Sequence, residues 1–428
     1  MCGIIGYVGP RPVGPTLLEG LQRLEYRGYD SSGIAILDKN GELIIEKAVG
    51  KLSTLISSVE DNCLVGCLGI GHTRWATHGK PTDCNAHPHI DCSGNVAVIH
   101  NGIVENYMEL KTELLFLGHQ FRSQTDTEVL PHLIEHFIRQ GADLETALRE
   151  AIRRIKGAHA IIALSKQEPD RIVGARIGNA GGLVVGYGQN EMYIASDLPA
   201  ILPYTRDMVF LSSLEMVTLT AGGASYSTVD GNALSKTPQT TPYDMVAAAK
   251  GGYKHFMLKE IMEQPEAVTD TIRGRVEFEP PNIYLEDMSF TDKDLQEIKK
   301  VIIVACGTSM YAALVAKFMI EDLARIPTEV DYGSEYRYRE PIIDPGTLVI
   351  SVGQSGETVD TLAAMEEAKR QGARQITVCN VVGSQATRVA DAVVYLRAGM
   401  EIGVAATKTF TTSLTALYLL ATYLAKAR

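Results

Sequence analysis

At 428 residues and a formal net charge of −11, the chain is long enough for two or three domains and lacks the basic surplus that a nucleic-acid partner requires. Apolar residues make up 45% and charged residues 21%, an ordinary balance for a soluble globular protein. No apolar run approaches the roughly 20 residues needed to span a bilayer, and no secretory leader is visible, so a cytoplasmic protein without a membrane partner is expected.

The chain opens Met1-Cys2-Gly3-Ile4-Ile5-Gly6. Once Met1 is removed, Cys2 carries a thiol and a free α-amine on one carbon. Their ordinary pKa values, about 8.5 and about 7.7–8.0, let the amine take the thiol proton at little cost. Such a residue is its own nucleophile and base, although a buried cysteine heading a first strand has the same sequence.

From Cys2 to about Leu219, short strand patterns fall at 33–37, 43–47, 96–100, 160–164, 171–175, 183–186, 192–195 and 216–219, with helical patterns at 11–24 and 126–140. Strand clusters around a few helices predict an α+β domain of stacked, largely antiparallel sheets. Residues 235–243 are polar, rich in threonine and proline, and predict a linker. Helical pattern resumes at 256–271. From Lys299 strands and helices alternate: strands at 300–305, 328–331, 347–352, 375–379 and 392–396, with helices after Ser309, after Thr358 and over 407–426. That alternation predicts an α/β unit with a parallel sheet covered on both faces.

Three polar blocks in the first half carry candidate chemistry. In His72-Thr-Arg-Trp-Ala-Thr-His-Gly79, Arg74 is suited to bidentate binding of a carboxylate, with Thr77 and His78 as further donors. In His100-Asn101-Gly102, a side-chain amide beside a glycine N–H suits an oxyanion, although a strand-end Asn-Gly is also an ordinary turn. In Ser123-Gln-Thr-Asp-Thr-Glu128, Asp126 can face an ammonium group or cap a helix, or do both. In the second half, the loops 306–309 and 353–358 each leave a strand and enter a helix, the position where open α/β sheets bind anions on free N–H groups. The seven cysteines, Cys2, Cys63, Cys67, Cys84, Cys92, Cys306 and Cys379, are expected to be reduced. Cys63, Cys67, Cys84, His87, His89 and Cys92 crowd one region without Cys-x2-Cys spacing, so no metal and no cofactor are expected.

Together, Cys2-Gly-Ile-Ile-Gly, Leu24-Glu-Tyr-Arg-Gly-Tyr-Asp-Ser31, the Trp75 block, His100-Asn-Gly-Ile and Thr125-Asp-Thr-Glu resemble the class II glutamine amidotransferase domain, an N-terminal-nucleophile hydrolase fold, of the glutamine–fructose-6-phosphate aminotransferase (isomerizing) family. Cys306-Gly-Thr-Ser, Ser334-Glu-Tyr-Arg-Tyr-Arg339, Gln354-Ser-Gly-Glu-Thr and Glu401-Ile-Gly-Val resemble its first sugar-isomerase domain. The resemblance implies an amidotransferase domain over 2–234, a linker over 235–250 and a sugar-isomerase domain over 251–428. It implies Cys2 as nucleophile, Asn101 and Gly102 as oxyanion hole, and Arg74, Thr77, His78 and Asp126 as holders of glutamine. Trp75 resembles a gate on an ammonia channel, and Arg27 to Asp30 a loop that closes over glutamine. Thr308, Ser309, Gln354, Ser355 and Thr358 would hold a hexose phosphate, fructose 6-phosphate, in a homodimeric enzyme.

The chain departs from the family pattern at Gly178-Asn-Ala-Gly-Gly-Leu183, and at Gly353 and Ala406, where serines are usual. The family continues into a second sugar-isomerase domain that supplies the isomerising groups. The local candidates Glu335, Glu357 and Lys408 match none of those motifs. The expectation is either a fragment of such an enzyme or a glutaminase joined to a sugar-phosphate-binding module.

Overall fold

The computed structural model describes residues 2–60, 66–76, 79–179, 181–241 and 252–428. They divide into two compact units, Met1–Asp244 and Met245–Arg428. Thr77, His78 and Cys63, singled out from the sequence, lie outside the described residues.

The first unit begins β1 (Gly3–Val8), α1 (Val13–Leu24), β2 (Ser31–Asp38), β3 (Leu43–Val49), α2 (Leu52–Glu60), β4 (Gly66–Arg74), β5 (His89–Ile90) and β6 (Val96–Gly102). Three helices follow, α3 (Tyr107–Phe116), α4 (Val129–Arg139) and α5 (Leu144–Arg154), then β7 (His159–Ser165), β8 (Glu168–Ile177), β9 (Val184–Tyr187) and β10 (Met192–Ala195). It closes with β11 (Asp207–Phe210), β12 (Glu215–Thr220), β13 (Gly223–Thr228), β14 (Ala233–Leu234) and β15 (Gln239–Thr240). Among the described residues one sheet has the order β15-β11-β9-β10-β1-β4-β2-β3 and the other β14-β13-β12-β8-β7-β6-β5. Neighbouring strands pair antiparallel throughout both.

Strand alternation sorts the side chains into layers. Ile4, Ile70 and Ala35 of the first sheet pack with Ala97, Ile99 and Ile162 of the second to form the inner core. Val96, Val98, Ile161 and Val173 point the other way and pack on α3, α4 and α5. On the outer face of the first sheet α1 lies close against β4, burying Val13, Leu17 and Leu21. Gly69 permits that approach, since a Cβ there would sit 2.9 Å from Val13 Cγ2 and 2.9 Å from the Ala35 carbonyl oxygen. Gly66, Gly69 and Gly71 also hide β4 from a β-propensity reading. Residues 239–240, inside the stretch expected as a linker, pair with β11.

The second unit starts with α6 (Phe256–Met262) and α7 (Gln264–Ile272), then β16 (Val276–Phe278), β17 (Pro281–Ile283) and α8 (Asp292–Gln296). The single helical pattern expected at 256–271 is thus two helices, with a proline in the first turn of α7, where a missing N–H is tolerated. Next come β18 (Lys300–Ala305), α9 (Thr308–Leu323), β19 (Thr328–Tyr332), α10 (Gly333–Tyr336), β20 (Thr347–Val352) and α11 (Val359–Arg370). The last elements are β21 (Arg374–Cys379), α12 (Gln385–Val389), β22 (Ala392–Tyr395) and α13 (Lys408–Lys426). The sheet β19-β18-β20-β21-β22 is parallel. Val301, Ile303, Leu348 and Ile350 pack on one face with α9 and α13, and Ile302, Val304 and Val349 on the other with α11. No helix among the described residues is long and apolar enough to cross a membrane.

Among the histidines buried in the first unit are His72, His87, His89, His100 and His159. The rings of His72 and His87 stack at 4.2 Å, and His100 bonds Thr127 Oγ1 at 2.9 Å and His159 at 3.0 Å. Burial holds them neutral: His72 and His159 fall to about 4, and His87, His89 and His100 lie well below the usual value. In the unfolded chain each titrates near 6.5, so the unfolded state binds more protons below that pH. Stability present above pH 6.5 is therefore lost as pH falls toward 4, by up to about 1.4 kcal/mol per pH unit for each histidine. The melting temperature should drop steeply from pH 6.5 to 5, before most carboxylates protonate. A flat calorimetric profile across that interval would contradict this account.

Candidate active site

The alternation that buries Ile4, Ile70 and Ile99 continues for two more residues at Cys2 and Asn101 and for four on β4. It brings Cys2, His72 with Arg74, and Asn101 to the same side of β1, β4 and β6 at the same end of the sheets. The β1–β4 register pairs Gly3 with Thr73 and Ile4 with His72, so the next step sets Cys2 beside Arg74. The Cys2 sulfur accepts the Trp75 backbone N–H at 3.2 Å. Asn101, from the other sheet, donates Nδ2–H to the Cys2 carbonyl oxygen at 3.0 Å and faces His72 Nε2 with Oδ1 at 3.0 Å. A carbonyl only accepts, so the amide orientation is fixed and His72 must be the Nε2–H tautomer. The second Nδ2–H of Asn101 is left for a ligand.

Gly102 ends β6 at φ +134°, and a Cβ there would lie 2.2 Å from the Ala158 carbonyl oxygen. Only glycine fits, and its N–H comes directly after the Asn101 amide. Asp126 lies in a 3-10 turn, Asp126–Glu128, ahead of the expected helix, which starts as α4 at Val129. It is buried and accepts the Val104 N–H on Oδ2 at 2.7 Å. Glu128 secures the approach to that turn, accepting the N–H groups of Arg122 at 2.7 Å and Ser123 at 2.6 Å.

Burial pushes the Cys2 thiol up, against the Trp75 N–H and the nearby Arg74 charge, which pull it down. Burial also lowers Arg74, with Cys2, Asp126 and Asp30 acting in the opposite sense. Cys2 therefore rests as a thiol and needs a base to become a nucleophile. Arg74 is buried, with Nη2 3.3 Å from the Gly79 carbonyl oxygen.

The segment 27–30 crosses the end of β4. A Cβ on Gly28 would be 2.7 Å from the Arg74 carbonyl carbon, and Asp30 accepts the Ala76 N–H at 2.8 Å. Tyr29 meets Trp75 edge-on at 5.4 Å, both rings about half exposed. Arg27 does not join this group: it is buried in an ion pair with Asp197, which also accepts the Tyr26 hydroxyl at 2.5 Å. Sequence reasoning missed His72 as the partner of Asn101 and Asp30 as the anchor of Ala76. The signal for His72 was its parity with Ile70 and Arg74 on one strand.

In the second unit, β18 and β20 are neighbours whose outgoing connections run to opposite sides of the sheet, a topological switch point. Thr308 and Ser309 open α9 after β18, and Thr358 stands at the N-cap position of α11 after β20, its side chain making no capping bond. Ser351, Gly353, Gly356, Thr358 and Thr377 line a small pocket at these strand ends. Gly356 has φ +64° and packs on Ser384, where a Cβ would be 2.1 Å from Oγ, while a Cβ on Gly353 would meet nothing within 4 Å. Ser355 Oγ accepts the Glu357 N–H at 3.1 Å, and Glu357 accepts the Gln385 N–H at 2.8 Å. Lys408 is buried and paired with Glu263 at 2.7 Å.

A glutamine amidotransferase domain model matches residues 72–203, and a SIS domain model matches residues 294–423. The glutamine–fructose-6-phosphate aminotransferase (isomerizing) of Caldanaerobacter subterraneus subsp. tengcongensis is 51% identical over 421 residues, 98% of this chain and 68% of that relative. The enzyme of the same name from Thermus thermophilus is 49% identical over 428 residues, 100% of this chain and 69% of the relative. Among solved structures, the C-terminal domain of glucosamine-fructose-6-phosphate aminotransferase from Francisella tularensis is 42% identical, covering 42% of this chain and 50% of that one at a TM-score of 0.40. The chain belongs to the glutamine–fructose-6-phosphate aminotransferase (isomerizing) family.

Proposed function

We propose that this protein is a cytoplasmic glutamine amidotransferase that hydrolyses glutamine to glutamate and ammonia for the amination of fructose 6-phosphate to glucosamine 6-phosphate. One observation carries the reading: Cys2, Arg74 and Asn101 share one end of two stacked sheets, with Asn101 fixed by His72 and one of its N–H groups directed at Cys2. After removal of Met1, the Cys2 amine takes the thiol proton and the sulfur attacks the side-chain amide carbon of glutamine. The remaining Nδ2–H of Asn101 and the Gly102 N–H receive the oxyanion. The carbon–nitrogen bond then breaks, ammonia leaves with the returned proton, and water hydrolyses the γ-glutamyl thioester. Arg74, with Thr77 and His78, holds the glutamine carboxylate. Asp126 holds its ammonium on the oxygen that Val104 does not occupy. Trp75 gates the path that ammonia takes, and the loop 27–30 closes over the bound substrate, with Arg27 anchoring that loop on Asp197.

The domain assignment belongs to the same proposal: amidotransferase over 2–234, linker over 235–250, sugar-isomerase domain over 251–428. In that last domain Thr308, Ser309, Gln354, Ser355 and Thr358 surround the switch point and hold the hexose phosphate through hydroxyls and helix-start N–H groups. Glu357 and Lys408 are engaged elsewhere in this unit. We also propose a homodimer, with the exposed apolar face of α9 (Tyr311, Leu314, Val315 and Phe318) as the surface available for it. Sedimentation at micromolar concentration reads this directly, and a monomer would remove it.

Two experiments test the chemistry. Cys2→Ala should abolish glutamate release, and Asn101→Ala should lower kcat by roughly 10²–10³-fold. Normal turnover in Cys2→Ala, with folding verified by circular dichroism, would sink the mechanism. Fructose 6-phosphate at a hundredfold excess over Kd should stabilise the folded state by about 2.7 kcal/mol, raising the melting temperature. Gly353→Ser should enlarge the shift, since the added side chain meets open space and restores a donor. If neither fructose 6-phosphate nor glucose 6-phosphate shifts either protein, the sugar site is misplaced.

A further inference from the structure

Away from the glutaminase site, the first unit brings together Cys92, His119, His132 and Glu135. Cys92 lies in the turn between β5 and β6, His119 follows α3, and His132 and Glu135 are three residues apart on one face of α4. His119, His132 and Glu135 are buried, at 3%, 1% and 3% exposure. Their donor atoms and the Cys92 sulfur all lie within 4.8 Å of one another. Cys92 Sγ is 3.7 Å from His119 Nδ1 and 3.5 Å from His132 Nδ1. Glu135 Oε2 is 3.0 Å from His119 Nδ1 and 3.7 Å from His132 Nδ1.

Zinc bonds of about 2.0–2.3 Å at tetrahedral angles separate neighbouring ligand atoms by about 3.3–3.6 Å, close to the distances found. The surroundings fit as well. The Gln120 N–H points at the Cys92 sulfur at 3.2 Å, which stabilises a thiolate. The other ring nitrogen of His132, Nε2, is buried with no hydrogen-bond partner and lies 3.8 Å from Glu128 Oε1. With Nδ1 on a metal, Nε2 must carry the proton and aims it at a carboxylate, the usual outer arrangement of a ligating histidine. Glu135 is held in turn by Arg139 and by the Cys92 N–H.

We propose that Cys92, His119, His132 and Glu135 form a structural zinc site. One thiolate, two imidazoles and one carboxylate at tetrahedral spacing select zinc over calcium or magnesium, which take oxygen ligands. Four protein ligands close the coordination sphere, so the ion holds structure and does no chemistry. It ties α4 to the β5–β6 turn and to the segment after α3. A thiol must lose its proton to ligate, so zinc displaces one proton from the Cys92 sulfur as it binds. The inference is independent of the glutaminase reading.

The test is to load the purified 428-residue chain with zinc chloride, dialyse, and measure metal by mass spectrometry. Wild type should hold about one zinc per chain, and Cys92→Ala and Glu135→Gln should hold less than about a tenth of that. Cys84→Ala controls for a stray thiol and should keep its metal. Cobalt-loaded wild type should show a sulfur-to-metal charge-transfer band and intense tetrahedral visible absorption, both lost in Cys92→Ser. Chelation should lower the wild-type melting temperature, a readout that needs no variant to fold. Wild type that retains no zinc, or zinc retained equally in Cys92→Ala and Glu135→Gln, would overturn the site and leave a hydrogen-bonded polar cluster.

Discussion

The amide of Asn101 joins the two sheets of the first unit at the point where the chemistry is assembled. Its Nδ2 reaches Cys2 at the head of β1 in one sheet, its Oδ1 faces His72 on β4 of the same sheet, and its own backbone ends β6 in the other. The bond to His72 is buried and the bond to Cys2 partly so, which makes them expensive to leave unmade. The pair fixes the spacing of the sheet edges, the tautomer of His72 and the direction of the remaining N–H. His72 donates its Nε2–H in this geometry, and burial keeps the ring neutral by holding the imidazole near pKa 4.

From that edge the apolar core and the site form one continuous pattern. The strands that end in Cys2, Arg74 and Asn101 are the strands whose preceding inward residues are Ile4, Ile70 and Ile99. A shift of one residue on β4 would turn Arg74 and His72 toward α1 and bring Gly71 and Thr73 inward. Because α1 sits close on glycine positions of β4, that slip would drive side chains into Val13 and Leu17. Packing on the far side of the sheet thus protects the register of the catalytic side. In the second unit the ligand loops are positioned by topology instead, since the connections from β18 and β20 part at the switch point and leave helix starts facing the crevice.

The sequence by itself determined a good deal. Period-two and strand–helix alternation marked most of the strands and the change of architecture near Lys299, because burial on one or both faces writes a regular pattern. Motif residues such as Cys2, Asn101, Gly102 and Asp126 were legible because each sits at an element boundary with its chemistry unmasked. Gly102 is the clearest case, since its φ and the nearness of Ala158 admit no other residue.

Only the tertiary structure decided which of these residues meet. Strand β4 was hidden because its glycines serve the approach of α1, a packing demand that propensity does not record. His72 as partner of Asn101, Asp30 as anchor of Ala76 and Asp197 as counterion of Arg27 come from chain separations of 29, 46 and 170 residues. The same holds for Cys92, which the sequence set among neighbouring cysteines and histidines and the fold set against His119 and His132, 27 and 40 residues onward. Hydrophobic alternation fixes which face a side chain takes, whereas its partner depends on sheet order and register, which are set by the whole core at once.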